Sequence, residues 1–86
     1  MPSYTVRFVR SARRDLERLD DAILNRIFPR IEALAETPRP TGCRKLRGSR
    51  DLWRIRIGVH RVIYQVDDTA RVVEIRAAGD RKDVYE

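Results

Sequence analysis

The sequence predicts an α+β domain with the order β-α-α-β-β-β. An N-terminal two-helix hairpin should pack on one face of an antiparallel sheet of about four strands. Two observations carry this expectation. Apolar residues recur at helical spacing through the first half, and from Trp53 onward the period falls to two. The later apolar runs are separated by short turns, which suits antiparallel neighbours.

Each element has its own justification. Tyr4, Val6 and Phe8 alternate with Thr5 and Arg7, as in a half-buried strand. Ser11 is the expected N-cap of a first helix reaching about Leu19, with Ala12, Leu16 and Leu19 on one stripe. Asp20-Asp21 should cap a second helix and place negative charge at its positive end. Its apolar residues Ile23, Leu24, Ile27, Phe28, Ile31 and Leu34 keep helical spacing to about Glu36, with a bend expected at Pro29. Thr37 to Gly42, with two prolines, is a loop. Trp53, Ile55 and Ile57 then alternate with Arg54 and Arg56, and Gly58 permits a turn. Val62, Tyr64 and Val66 alternate with Arg61, Ile63 and Gln65, and Asp67-Asp68-Thr69 makes the next turn. The last strand should set Val73, Ile75 and Ala77 against Val72, Glu74 and Arg76.

The 86 residues suffice for one domain, 1–86, whose core is thin at this size. Apolar residues (42%) and charged residues (37%) are balanced as in a folded chain. The lone Cys43 and lone His60 leave no internal disulfide and no structural zinc site, and no cofactor is implied. No apolar run is long enough to span a bilayer, and MPSYTVRFVR lacks the apolar stretch of a signal peptide, so a cytoplasmic location without membrane partners is expected.

The net charge of +6 is unevenly placed. Between Arg39 and Arg61, eight basic residues (Arg39, Arg44, Lys45, Arg47, Arg50, Arg54, Arg56, Arg61) face one acid, Asp51. That segment holds the whole excess, which points to a polyanion, most often nucleic acid. With the helices covering one face, the other should display Arg54, Arg56, Arg61, Gln65 and Arg76. Like charges facing each other across strands destabilise by up to about 1 kcal/mol per pair, and a bound phosphate chain would relieve them. The alternative is that Glu74 and Asp83 pair with two of these arginines.

The run Pro38-Arg39-Pro40-Thr41-Gly42-Cys43-Arg44-Lys45-Leu46-Arg47-Gly48 resembles the loop before the sheet in RelE-family toxins. Trp53-Arg54-Ile55-Arg56-Ile57-Gly58, followed by His60-Arg61-Val62-Ile63-Tyr64, resembles that family's central hairpin. Gly79-Asp80-Arg81-Lys82-Asp83-Val84-Tyr85 is similar to its closing motif. Three motifs in this order cover nearly the whole chain and place it beside the RelE/ParE superfamily of type II toxin–antitoxin systems.

The resemblance implies a toxin that enters the ribosomal A site and cleaves mRNA without a metal, and a RelB-type antitoxin that wraps it. Cleavage by 2′-OH attack needs a base, cations for the developing phosphorane charge, and an acid for the 5′-oxygen. Arg61 and Arg81 match the family's phosphate-binding arginines, whose planar fork suits phosphate oxygens. Tyr85 matches its functional tyrosine, as a base or as a stacking platform for an RNA base. Some relatives carry lysines where this chain has Arg54 and Arg56. Arginine does not exchange protons, so these two are assigned to RNA binding and electrostatic stabilisation. Lys45, Arg47 and Arg50 are expected contacts to ribosomal RNA, and Arg76 and Lys82 extend the patch. His60 shares the side of Val62 and Tyr64 and is read as structural.

Asp80 departs from relatives with a basic residue there. It could hold Arg81, act as a weak base, or weaken RNA affinity. The sequence stops at Glu86, so no helix is expected after the closing motif. ParE-type relatives share the fold but poison DNA gyrase, which is the alternative activity. A catalytically weakened toxin, acting as a binding module or co-repressor with its antitoxin, is the third.

Overall fold

A computed structural model of the chain describes residues 3–48 and 51–80. Its elements are β1 (Thr5–Phe8), α1 (Arg10–Glu17), α2 (Asp21–Ala33), β2 (Arg44–Lys45), β3 (Leu52–Ile57), β4 (His60–Asp67) and β5 (Val72–Asp80). The α+β class and the helical hairpin agree with the expectation from sequence.

The sheet differs in two respects. It has five strands in the order β1-β5-β4-β3-β2, and β1 runs parallel to β5 while the other pairs are antiparallel. The physical reason is local. Short turns fold β3, β4 and β5 into a meander, whereas β1 leads straight into α1 and has no hairpin partner. It takes the open edge of β5, from which both helices and three strands separate it in sequence, and runs parallel to that strand. The fifth strand, Arg44–Lys45, is too short to show any period.

Helix ends follow side-chain chemistry. Asp20 caps α2 by accepting a bond from the Ile23 amide at 3.1 Å. The cap of α1 is Val9 rather than Ser11, and it makes no side-chain bond. Ser11 sits inside the helix and donates to the Arg76 carbonyl at 3.3 Å, while Asp15, four residues on, accepts from the Ala78 amide at 3.0 Å. These two residues lie on one helix face and tie α1 to β5. Helix α2 continues through Pro29 and ends at Ala33, giving way to a turn over residues 34–36. The Ala35 carbonyl of that turn accepts the Ser3 and Tyr4 amides.

The core lies between the helices and one face of the sheet. Ala12, Leu16, Ile27, Ile31 and Leu34 meet Ile55, Ile57, Val62, Tyr64, Val66, Val73, Ile75 and Ala78. A register shift at Ile63/Tyr64 positions the last of these. Tyr64 pairs with Ile75 and Ile63 with Ala77, so Arg76 is the extra residue of a bulge. Beyond it the alternation of β5 is reversed. Ala78, not Ala77, turns into the core, and Gly79 comes to lie opposite Arg61.

Candidate nucleic-acid interface

The face of the sheet turned away from the helices divides into two halves. On the β1–β5 side, Arg7 lies beside Glu74 in the parallel register and contacts its carboxylate at 3.3 Å. Arg76 donates to Glu74 at 2.9 Å and to Gln65 at 3.0 Å. One carboxylate thus serves two arginines, and Arg76 is held within a polar cluster. The pairing of Glu74 weighed from sequence is present. Asp83 lies outside the described residues.

The other half is more basic. Arg44 of β2 pairs with Arg54 of β3, and Arg56 of β3 pairs with Arg61 of β4. Directly opposed residues share a face, so four guanidinium side chains rise from three adjacent strands on the same side. Arg61 is only 8% exposed, whereas Arg44 and Arg56 are open to solvent. Its neighbours explain the depth at which it sits. Gly79, directly opposite it, has no side chain to hold it away from the strand pair. A hollow of about 170 Å³ lies between Arg56, Gly58, Val59 and Arg61. A second, of about 200 Å³, gathers Arg44, Arg47 and Arg54 with Lys45 and Leu46.

The register sorts the residues picked from sequence. Arg54, Arg56 and Arg61 come together on the basic half, and Arg47 stands at its β2 end. Lys45 pairs with Trp53, whose side chain faces the helices, so Lys45 leaves the sheet on the opposite side from Arg44. His60 pairs with Ile57 and Asp80, which places both His60 and Asp80 on the helix side. Asp80 therefore does not sit among the outward arginines. Arg50, Arg81, Lys82 and Tyr85 lie outside the described residues.

Arg39, counted in the basic segment, belongs to a different structure. It grips Asp68 through two bonds, at 2.8 and 3.3 Å, and its guanidinium lies 5.2 Å from the centre of the Trp53 ring. Tyr4 donates to the same carboxylate at 2.6 Å. These bonds hold the Asp68 carboxyl below its ordinary range and raise the Tyr4 phenol above its own. Nearby, the fully buried Tyr64 donates to the Pro38 carbonyl at 2.7 Å. Burial, then the adjacent Cys43, pushes its phenol well up. The loop from Thr37 to Gly42 is thus anchored at both Pro38 and Arg39.

Arg44 is the residue that sequence reasoning counted but did not assign to the face. Only the pairing of the two-residue β2 reveals its side. A larger hollow, about 330 Å³, lies elsewhere, between Phe8, Leu16, Leu24 and Phe28 with Arg13 and Glu17 at its edges. Its lining is mostly apolar. Among the described residues no group of three or more His, Cys, Asp or Glu side chains could hold a metal. Among them, too, no helix is long and apolar enough to cross a membrane.

Comparison with known proteins gives consistent results. Residues 6–85 match the family model described as ParE toxin of type II toxin–antitoxin system, parDE. The chain is 34% identical to toxin RelG of Mycobacterium tuberculosis over 83 residues, covering 95% of each chain. Its fold is similar to the archaeal RelE–RelB complex of Pyrococcus horikoshii, with a TM-score of 0.80 and 29% identity over 95% of this chain and 99% of that one. It is also similar to the intact RelBE toxin–antitoxin complex of Escherichia coli, with a TM-score of 0.80 and 26% identity over 90% and 95% of the two chains.

Proposed function

The chain belongs to the RelE/ParE superfamily, as a RelE-like toxin of the type II toxin–antitoxin class, and from that premise we propose that it is a ribosome-dependent endoribonuclease that cuts mRNA in the A site. The observation that carries this reading is the paired arginine surface on β2, β3 and β4, with Arg61 deep in it.

In this reaction the 2′-oxygen attacks the adjacent phosphorus and its proton passes to a base. The bond from phosphorus to the 5′-oxygen breaks, and that oxygen takes a proton. The products are a 2′,3′-cyclic phosphate and a 5′-hydroxyl. Arg61 binds the phosphoryl oxygens and gains strength as charge develops on them, because its surroundings are largely closed to water. Arg54 and Arg56 add permanent positive charge but carry no proton in either direction. His60 and Asp80, which could, are directed to the helix side by their register. Glu74 is engaged by Arg7 and Arg76. The family resemblance alone assigns Tyr85 as the base and Arg81 as the second phosphate-binding arginine.

Mapping of mRNA 5′ ends in a translating extract tests the proposal. The chain should produce cuts at A-site codons, and Arg61→Ala should slow cutting by roughly 10²–10³-fold. Unchanged cutting by Arg61→Ala would remove the residue assignment. The RelE–RelB and RelBE complexes support a RelB-type antitoxin as partner, expected to co-purify with the toxin and silence it.

A second reading, poisoning of DNA gyrase, is favoured by the match to the ParE toxin model. Inhibition of gyrase supercoiling without mRNA cuts would select it.

A further inference from the structure

We propose that the arginine pairs form two successive phosphate clamps along β3, and that Arg44 is an RNA-positioning residue. This rests on the endoribonuclease reading and specifies how its substrate lies.

The first rung is Arg56 with Arg61, and the second is Arg54 with Arg44. Arg54 and Arg56 are two positions apart on one strand, so the rungs are stepped by roughly 6.8 Å. The first rung spans β3 and β4 and the second spans β2 and β3, so the two are also offset sideways by one strand spacing, roughly 4.8 Å, and an RNA backbone that uses both crosses β3 obliquely. Each rung borders its own hollow. Two opposed guanidinium groups can hold one phosphate from both sides, which a single arginine cannot do.

Charge balance supports a ligand here. On the β1–β5 half, where arginines serve the fold, Glu74 engages both of them. Among the described residues no carboxylate pairs with Arg44 or Arg56, although each lies directly opposite another arginine. Such pairs cost stability unless an anion enters between them. Arg44 also sits on a two-residue edge strand, where an exposed cation contributes little to the core. Its position opposite Arg54 fits a binding role better than a folding one.

Arg61 lies at the reacting phosphate, so the Arg44–Arg54 rung holds the neighbouring phosphate of the same strand. Arg44 fixes register and does not touch the reacting atoms. Its loss should raise the concentration of programmed ribosomes needed for half-maximal cutting by about tenfold, and leave the rate at saturation unchanged.

The experiment compares wild type, Arg44→Ala, Arg44→Lys and Arg30→Ala. The last removes the same charge from an exposed position in α2. Single-turnover cleavage is measured on ribosomes carrying mRNA with one neutral methylphosphonate linkage at each position flanking the cut. One flanking linkage should weaken wild-type binding about tenfold and leave Arg44→Ala unaffected, because that clamp is already gone. Lysine should restore only part of the affinity, and Arg30→Ala should match wild type. If Arg44→Ala matches wild type, or stays as sensitive to every neutral linkage, the clamp is refuted and the endoribonuclease reading stands. If wild type cuts nothing, binding of a short single-stranded RNA decides the clamp separately. There Arg44→Ala should reduce the salt slope by about 0.7, and an unchanged slope or no RNA binding refutes it.

Discussion

The hydroxyl of Tyr64 offers a sharp test of how the loop before the sheet is held. Tyr64 is 0% exposed, and its only polar atom donates to the Pro38 carbonyl at 2.7 Å. Tyr64→Phe keeps the ring in the core and removes that bond. An intramolecular hydrogen bond contributes about 1 kcal/mol net, and a carbonyl left dry costs more. Pro38 is half-buried, so water can partly replace the donor, and the lower figure applies. For a domain of this size about 1 kcal/mol lowers Tm by roughly 4–8 °C. The effect has a pH signature as well. Because burial raises the phenol above its ordinary value, the contribution is complete below about pH 10 and falls as pH rises through the folded value. Urea unfolding followed by Trp53 fluorescence, repeated from pH 7 to 11, measures both. The gap between wild type and variant should stay constant to about pH 9 and then close. An unchanged midpoint at pH 7, or a gap that persists at the alkaline end, would refute the latch.

Other outcomes follow from the same geometry. Asp68 has a lowered carboxyl, so its contribution is present above about pH 4 and lost as pH falls further; Asp68→Asn should flatten acid unfolding curves over that range. Gly58 turns the β3–β4 hairpin with φ of +63°, and a Cβ there would meet the end of the Arg26 side chain at 3.1 Å. Arg26 can move aside, so the cost of Gly58→Ala is mainly the left-handed backbone, roughly 1–2 kcal/mol, read as a lower melting temperature. If the two arginine pairs each neutralise one phosphate, log affinity for single-stranded RNA should fall with log salt at a slope near −1.4. A nearly flat plot would assign this face to another ligand.

The parts of this fold that were legible in sequence are those set by neighbours a few residues away. The caps and turns at Asp20, Gly58 and Asp67, and the alternation of Trp53, Ile55 and Ile57, are local. What escaped is decided by distant partners. Ser11 resembles a cap until the Arg76 carbonyl appears beside it, and Ala77 has the parity of a core residue until the bulge shifts it. Charge behaves the same way. Arg39 and Arg76 look like parts of one basic field, yet Asp68 and Glu74 bind them. Arg44 looks like one more loop arginine, and only its pairing with Arg54 sets it on the face.

The position of β5 has a consequence for how the protein comes into being. This last strand is central, flanked by the first strand on one side and β4 on the other. Its parallel partner β1 is separated from it by both helices and three strands, so the pairing closes a loop spanning most of the chain. Contacts of that range are slow to form, because the entropy of loop closure is lost before any contact is gained. A nascent chain can build its helices and the β3–β4 hairpin as they emerge from the ribosome. It cannot complete the sheet until residues 72–80 have left the exit tunnel. The floor beneath Arg61, which rests on Gly79, is finished last. The surface assigned to RNA is therefore assembled only after β5 has paired, later than the helices and the β3–β4 hairpin.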